Sequence, residues 1–506
     1  MAWSFLSACT GWGVGVMLGA VLAAPGRAWQ SRVRLARARA ALCATVPGTS
    51  PQLSPLCRVS RPGRCAPGGR ALTKRGLAQT DRPRQHDGCN AGIEAPHMMQ
   101  ALAGRTPPQT AQRAGGILLL ALAMLYLALK IFDGTDTIDF KYIHLAGALW
   151  SEGIDPYSTA YAEQGQIRFE GLNRPEYLFY PPHWWAIAIG FAQVPYEVAG
   201  LLWRALMAAC MIGGCLVLHR TVIHIAGESR PWRTWAMLVM AGAMSATAIA
   251  LSLGQTSCLL FLGVCLYVHA VVTRRRGLMV LALAIVMLKP NFGLALSLFL
   301  VPGLFWWPAL IGGALAVVVA SLPALLPHGT PEVIRGYLFA LSHWEALPPN
   351  VAGSTTGLRH LVHLLTGSTL PGTWFAMTAA LFALGLGFLL GAVTRARGGT
   401  PRAQAIALGI LISGLVLIIP LHTYDMMLLI PLIALAAALP RPGQVIFAGL
   451  MLLALRPNNL AMALGLTTLE ETYFLGTGLM SLIALAMLSL WLACAFGAAR
   501  GRHLQP

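Results

Sequence analysis

Residues 133–182 read DGTDTIDFKYIHLAGALWSEGIDPYSTAYAEQGQIRFEGLNRPEYLFYPP and interrupt a chain that is otherwise mostly apolar from residue 115 to residue 497. This stretch carries eight Asp or Glu residues and only three Lys or Arg residues. It directly follows an apolar run over 115–132 that is long enough to cross a bilayer. The order of these two segments predicts a membrane span followed by an acidic loop outside the membrane.

The composition predicts an integral membrane protein. The chain has 506 residues, of which 56% are hydrophobic and 11% are charged, and its mean hydropathy is +0.65. Soluble domains carry about 25% charged residues. Long apolar runs recur up to residue 497, and they predict an all-α, multi-pass bundle of about 10–12 transmembrane helices. One of these spans is expected over 234–252.

The first 110 residues differ from the remainder. They hold fourteen Lys or Arg against three Asp or Glu, a net charge of +11 out of a total of +18. They lack helical periodicity and predict a disordered basic tail, followed by a transmembrane domain over 111–498. The alternative is that the protein begins near Met98. Because the basic charge is concentrated in the tail, it is weak evidence for a nucleic-acid partner.

The distribution of basic residues predicts the orientation of the spans. When the Lys and Arg residues that flank short loops are placed in the cytoplasm, both termini are cytoplasmic. The opposite, outer face then receives a first loop (133–181), a second loop (327–372) and three polar span ends, which are Gly254–Gln255, Lys289–Pro290 and His422–Asp425. Only one crossing is allowed between the first loop and Arg220, so the apolar segment 182–196 is expected to be re-entrant or interfacial.

Asp139 is the candidate catalytic residue. Apolar residues recur at helical spacing after Thr137, which predicts an amphipathic helix on the membrane surface. Asp139 lies in its first turn, where the positive end of the helix dipole favours an ionised carboxylate that acts as a base. The alternative is that the acids here only cap the helix, which is the role expected for Asp136. Trp184 and Trp185 are expected to be interfacial anchors.

Several other polar residues of the outer face are candidates for contact with a phosphate or a head group. Lys289 lies in an apolar run, where an ionisable side chain indicates function or a snorkelling position at a span end. Arg residues bind phosphate in a bidentate manner and His residues donate a hydrogen bond or shuttle a proton. The further candidates are Arg359, His360, His422 with Tyr424 and Asp425, and Tyr180 with His183. For Asp425 the alternative is a helix cap.

No motif in the chain indicates a metal or a cofactor. The ten cysteines show no CxxC or Cys/His spacing, and there is no phosphate-binding glycine loop, DxD motif or Ser/His/Asp order. We therefore predict no disulfide framework, no metal site and no cofactor. The cysteines of the apolar segments are expected to be small buried hydrophobic residues.

The order of short motifs resembles glycosyltransferase family 87. The motifs are D-F-x-Y-x-x-x-A-G at Asp139–Gly147, G-x-D-P-Y at Gly153–Tyr157, Y-P-P at Tyr180–Pro182, L-G-Q at Leu253–Gln255, L-K-P at Leu288–Pro290 and H-x-Y at His422–Tyr424. The resemblance covers about residues 115–497. His144 departs from it, because a second aromatic residue such as Tyr is expected there, and this leaves the sugar and the acceptor open.

The resemblance implies a GT-C-type membrane enzyme with a polyprenyl-phosphate-linked sugar as donor. A hexose, with mannose as the first candidate, is transferred with inversion to a lipid or glycan acceptor, and Asp139 acts as general base. The site is expected on the extracytoplasmic face of a bacterial plasma membrane. Gln255, Asp155 and Tyr157 join the binding residues through this resemblance, although Asp155 can also simply organise a turn. Lys289, Arg359 and His422 are expected to stabilise the phosphate as cations or hydrogen-bond donors.

Two other classes of protein remain open on the sequence alone. A transporter or lipid flippase predicts internal repeats and charges inside the spans, whereas no convincing repeat is found and the charges lie at span ends. A non-catalytic membrane scaffold needs no chemical role for the acidic loop.

Overall fold

The computed structural model describes residues 137–169, 175–227, 231–344, 350, 353–367, 372–463 and 469–503, together with isolated positions between 115 and 132. The chain divides into two units, Met1–Ile93 and Glu94–Pro506. The predicted basic tail, Asp133 and Asp136 lie outside the described residues.

The described chain is helical. An isolated bridge between Thr356 and Leu421 is the one strand-like pairing within these ranges. The α-helices are α1 Ile138–Ser151, α2 Ala160–Arg168, α3 Trp185–Ala192, α4 Tyr196–Ala226, α5 Pro231–Ala243, α6 Ser245–Leu253, α7 Ser257–Thr273, α8 Arg276–Val286, α9 Pro290–Leu300, α10 Trp307–Leu325, α11 Thr330–Ser342, α12 Leu358–Thr366, α13 Gly372–Ala396, α14 Pro401–Ile418, α15 Pro431–Leu435, α16 Arg441–Leu453, α17 Pro457–Ala463 and α18 Leu469–His503. Short 3-10 helices cover Pro182–Trp184, Leu304–Trp306, Thr423–Leu429 and Ala436–Ala438.

The predicted class, an all-α multi-pass membrane protein, is confirmed. Five described helices are long and apolar enough to cross a membrane, namely Tyr196–Ala226, Leu304–Leu325, Trp374–Ala396, Pro401–Ile418 and Gly476–Gly497. Five other described apolar helices have 10–17 residues. Segment 234–252, expected as one span, is divided at Met244 between α5 and α6. The break is stabilised from outside, because the Ser245 amide donates to the Leu455 carbonyl over 2.8 Å.

Helix α1 is packed inside the protein, which corrects the prediction of a surface helix. Phe140, Ile143 and Leu149 are at most 1% exposed, so the helix is buried on more than one face. Gly147 allows close contact with α3, because a Cβ atom there would overlap the Ala188 carbonyl oxygen. The sequence pattern indicated one apolar stripe, whereas α3 and α4 cover further faces of the helix.

Segment 182–196 forms a 3-10 turn and the eight-residue helix α3. At 1.5 Å per residue α3 is about 12 Å long, too short to cross roughly 30 Å of hydrocarbon. Trp184 is 1% exposed and its indole donates to the Leu288 carbonyl over 3.0 Å. The prediction of an interfacial anchor at Trp184 is therefore wrong.

The turn between α8 and α9 is an interruption of helix within an apolar part of the chain. Pro290 cannot donate a backbone hydrogen bond, and carbonyls near the end of α8 need partners from elsewhere. His183 Nε2 donates a hydrogen bond to the Met287 carbonyl over 2.9 Å. The indole of Trp184 donates one to the Leu288 carbonyl. The non-helical backbone is thus bonded by protein, as a low-dielectric surrounding requires.

We predict that Gly147→Ala lowers the free energy of unfolding by about 1–3 kcal/mol, because the added methyl group forces α1 away from α3. The measurement is the midpoint of thermal denaturation of the purified protein in detergent. Gly190→Ala on α3 is the matched control, since a Cβ atom at Gly190 meets nothing within 4 Å. Equal midpoints for the two variants would contradict the close packing at Gly147.

Candidate functional site

Asp139 is positioned by the aromatic residue that follows it. Phe140 is fully buried and stacks on Trp203 of α4, with ring centroids 5.0 Å apart. Trp203 Nε1 donates to the Gly254 carbonyl over 2.7 Å. Gly254 has φ of 69°, and a Cβ atom there would lie 3.0 Å from the Cβ atoms of Phe140 and Thr137. The start of α1 is therefore seated directly on the turn that carries Gln255.

The Asp139 carboxylate accepts a hydrogen bond from the Gln255 side chain. Burial raises the pKa of Asp139 from 3.8 to about 6, partly offset by the Gln255 hydrogen bond and the charge of Lys289, which both lower it. The charge of Asp425 acts in the same direction as burial. At pH 7 a carboxyl group with this pKa is roughly nine-tenths ionised. Asp139 is thus a stronger base than an exposed aspartate.

Asp425 is the centre of a second polar group. Its carboxylate lies 2.6 Å from Lys289 Nζ and accepts a hydrogen bond of 2.6 Å from Ser257 Oγ. Asp425 is 1% exposed, whereas the Lys289 side chain is 26% exposed. The ion pair joins the start of α7, the α8–α9 turn and the segment after α14. Lys289 is therefore held by a carboxylate and does not simply snorkel to the surface.

His422 and Tyr424 lie beside this ion pair. Lys289 Nζ is 5.9 Å from the centroid of the Tyr424 ring, and the ring centroids of His422 and Tyr424 are 5.0 Å apart. Burial lowers the pKa of His422 to about 4, with the charge of Asp425 opposing that effect. His422 is therefore neutral at pH 7. This excludes a role as a cation and leaves the expected roles of hydrogen-bond donor and proton shuttle. Asp425 also caps the 3-10 helix that follows His422.

The Tyr180 segment lies against both groups. Burial raises the pKa of Tyr180 well above 10, and the charges of Asp139 and Asp425 raise it further, so the phenol remains protonated. Tyr157 donates its hydroxyl to the Tyr180 carbonyl over 2.6 Å. Asp155 in turn accepts from the Tyr157 amide over 2.9 Å, which is the turn-organising role considered for it. Tyr157 and Asp155 thus position the Tyr180 segment.

His183, Arg359 and His360 have structural contacts of their own. His183 is bonded to the Met287 carbonyl, as described above. Arg359 is 5% exposed and His360 is fully buried, and His360 Nε2 would lie 3.3 Å from a Cβ atom on Gly478 of α18. Helix α12 is joined to the His422 segment through the bridge of Thr356 to Leu421. Binding roles for these three residues stay predictions.

His144, the departure from the family pattern, is part of the packing of α1. Its ring lies 5.5 Å from the Tyr196 ring and its Nε2 atom bonds the Val194 carbonyl over 3.2 Å. Burial lowers its pKa below 6.5. The imidazole therefore acts as a flat neutral ring that supports the first turns of α1.

The structure thus gathers six residues, from distant parts of the chain, around Asp139. They share hydrogen bonds or electrostatic interactions with it or with its neighbours, and they are Tyr180, Gln255, Ser257, Lys289, His422 and Asp425. The sequence did not indicate Ser257, and it indicated Asp425 only as a candidate for phosphate contact or as a helix cap, not as the partner of Lys289. The signal for Asp425 was its place beside His422 in an apolar segment, since a buried carboxylate requires a cation partner.

This arrangement suits proton abstraction next to a developing negative charge. A buried base accepts a proton best when its pKa lies near the working pH. In the same group of residues, a lysine, a neutral imidazole and a phenol can supply hydrogen-bond donors for an anionic group. Groups of three or more His, Cys, Asp or Glu side chains suited to a metal ion are not found among the described residues.

The model of glycosyltransferase family 87 matches residues 177–420 of the chain. This finding confirms the resemblance that the motifs indicate. The matched range includes Tyr180, Gln255 and Lys289, whereas Asp139 precedes it and the His422 segment follows it. A search of curated proteins gave no match.

We predict an interaction free energy of about 1–3 kcal/mol between Lys289 and Asp425 in the folded protein. Replacing either residue leaves the charge of the other buried without a partner. The measurement is a double-mutant cycle of Lys289→Met and Asp425→Asn, followed by denaturation in detergent. The control is the ion pair of Arg168 and Glu152, whose Nη2 and Oε2 atoms lie 2.8 Å apart and whose side chains are 33% and 44% exposed. For such an exposed pair we expect an interaction free energy of about 0–1 kcal/mol. Equal coupling in the two pairs would show that Asp425 does not hold the site together.

Proposed function

We propose that this membrane glycosyltransferase of family 87 transfers a hexose, with mannose as the first candidate, from a polyprenyl-phosphate-linked donor to a lipid or glycan acceptor. The family match supports glycosyl transfer in a membrane. The observation that carries the finer proposal is the buried carboxylate of Asp139, which faces a group containing Lys289, His422 and Tyr180. A buried carboxylate and a group of hydrogen-bond donors are the two functions that a displacement at the anomeric carbon requires, one for the acceptor hydroxyl and one for the leaving phosphate.

The proposed reaction is a single displacement. The acceptor hydroxyl gives its proton to the Asp139 carboxylate while its oxygen forms a bond to the anomeric carbon. The bond from that carbon to the phosphate oxygen breaks, and the lipid phosphate leaves with the electron pair. Because attack and departure occur on opposite sides of the carbon, the configuration inverts.

The charge balance of the site supports this assignment of roles. The leaving phosphate carries negative charge, and Lys289 is a cation that pairs with Asp425 and whose charge also acts on Asp139. Because Asp425 already partners Lys289, the lysine is held in place and retains donors for a second anion. His422 and Tyr180 contribute neutral donors. The membrane location brings a lipid-linked donor to this site without diffusion through water.

We propose an extracytoplasmic site in a bacterial plasma membrane. The support is that Asp139, Gln255, Lys289 and His422 lie at one end of the bundle, whereas the basic groups at Arg274–Arg276 and Arg395–Arg402 lie at the opposite ends of α7, α13 and α14. Basic span ends favour the cytoplasm.

We predict that Asp139→Asn lowers the rate of sugar transfer by about 10²–10⁴-fold, because the amide cannot accept the acceptor proton. The assay uses membranes that contain the full chain and a labelled polyprenyl-phosphate sugar, supplied in turn as the mannose, glucose and arabinose carriers. Glu163→Gln, an exposed acid on α2, is the matched control and keeps wild-type transfer. Unchanged transfer by a folded, inserted Asp139→Asn protein removes Asp139 as base, and no transfer by wild type from any carrier removes the proposed donor class.

The pH dependence of transfer offers a separate test of the same base. With a pKa of about 6 for Asp139, kcat/KM is expected to be full above that pH and to fall as pH decreases through it. Gln255→Leu removes a hydrogen bond that favours the ionised carboxylate, so the acid limb moves to higher pH. The measurement is kcat/KM from pH 5 to pH 9 for both proteins. If the acid limb of kcat/KM has the same midpoint pH in wild type and in Gln255→Leu, a group other than Asp139 is responsible for it.

A further inference from the structure

A cavity of about 350 Å³ lies at the end of the bundle opposite Asp139. Helix α7 runs from Ser257, which bonds the site residue Asp425, to Thr273, and the cavity is lined by Val271 and Arg274 at that far end. Seventeen helical residues separate the two ends by about 26 Å, close to the thickness of the hydrocarbon core. Helix α14 spans the same two ends of the bundle. Gln404 in its first turn lines the cavity, and the His422 segment follows its last turn. The cavity and the site thus belong to different membrane faces.

The lining of the cavity is basic and carries an unsatisfied acceptor. Arg274 and Arg395 both line it, and none of its thirteen lining residues is acidic. Gln404 is 8% exposed, and its Oε1 atom has no hydrogen-bond partner among the described residues. A buried amide oxygen of this kind costs free energy unless a donor reaches it. The cavity therefore offers two cations for an anion and one acceptor for a hydroxyl or amine group.

Neighbouring contacts fix the two arginines at the cavity. Arg274 ends α7 in a left-handed conformation with φ of 56°, and its Cζ atom lies 4.8 Å from the centroid of the Phe305 ring. Arg395 Nη1 donates to the Pro302 carbonyl. Both guanidinium groups retain further N–H donors, since each has five. The arginines are therefore oriented in advance of any ligand.

The apolar surroundings indicate that the ligand is a lipid. Leu304 lines the cavity and is 72% exposed. On the adjoining helix α10, Trp307 and Ile311 are 45% and 61% exposed, and this helix is one of the five long enough to cross a membrane. A molecule that occupies the cavity is thus bordered by an apolar outer face that suits acyl chains.

We propose that this cavity binds the headgroup of an anionic phospholipid of the phosphatidylglycerol type. Its phosphate contacts Arg274 and Arg395 through charge-assisted hydrogen bonds, and a headgroup hydroxyl donates to Gln404 Oε1. A phosphatidylethanolamine ammonium would meet two arginines with no acid to balance it, which favours a hydroxyl-bearing headgroup. The inference depends on the fold and not on the sugar donor.

The test is native mass spectrometry of the purified full chain with phosphatidylglycerol, phosphatidic acid, phosphatidylethanolamine and phosphatidylcholine in equal amounts. We expect phosphatidylglycerol to be retained preferentially, and Arg395→Gln to weaken its retention about tenfold through loss of charge-assisted hydrogen bonds. Arg397→Gln, which removes the same charge from an exposed position outside the lining, keeps wild-type retention. Gln404→Leu reduces the preference for phosphatidylglycerol over phosphatidic acid, which lacks the headgroup hydroxyls.

Four outcomes would overturn the proposal. They are equal retention of phosphatidylcholine, equal weakening by Arg395→Gln and Arg397→Gln, an unchanged headgroup preference in Gln404→Leu, and displacement of the lipid by free glycerol 3-phosphate at equal concentration. The last outcome would assign the cavity to a soluble phosphate ester. Arg274→Gln carries the same expectation as Arg395→Gln and replaces it if that variant does not fold.

Discussion

The buried carboxylate of Asp425 is the interaction on which the arrangement of the site depends. It binds Lys289 from the α8–α9 turn and Ser257 from the start of α7. Three segments that are distant in the chain are thereby held at one point in a low-dielectric surrounding, where an unpaired charge is costly. The α8–α9 turn is also bonded by His183 and Trp184, so the Tyr180 segment is tied to the same point. The positions of Lys289 and Ser257 follow from this one carboxylate.

The surroundings of Asp139 act on its pKa in two opposite directions. Burial favours its neutral form, while Gln255 and Lys289 favour the carboxylate, and the balance is a pKa of about 6. His422 experiences burial with the opposite sign, since its charged form is the protonated one, and its pKa falls to about 4. One acid and one imidazole are thus held in complementary states near neutral pH: a largely ionised carboxylate and a neutral ring.

The sequence predicted the helical membrane class and the approach of Asp139, Gln255, Lys289 and His422, because their motifs lie at span ends on one predicted face. It did not predict what depends on distant contacts. The break at Met244 follows Gly242, which lies within α5, and it is stabilised by the bond from the Ser245 amide to the distant Leu455 carbonyl. The extra buried faces of α1 are produced by α3 and α4. Asp425 resembled a helix cap, which it also is, and only the fold shows its pairing with Lys289.

The α8–α9 hairpin has a consequence for how the protein enters the membrane. Each of its helices has eleven residues, fewer than a stable span requires, and its tip carries Lys289. The counter-charge lies 136 residues later in the chain, so it emerges from the ribosome long after the hairpin. Because an unpaired lysine is costly in hydrocarbon, we expect the tip of the hairpin to stay hydrated until Asp425 has been synthesised. The hairpin can therefore adopt its final position only late in biogenesis, after the C-terminal third of the protein has been synthesised.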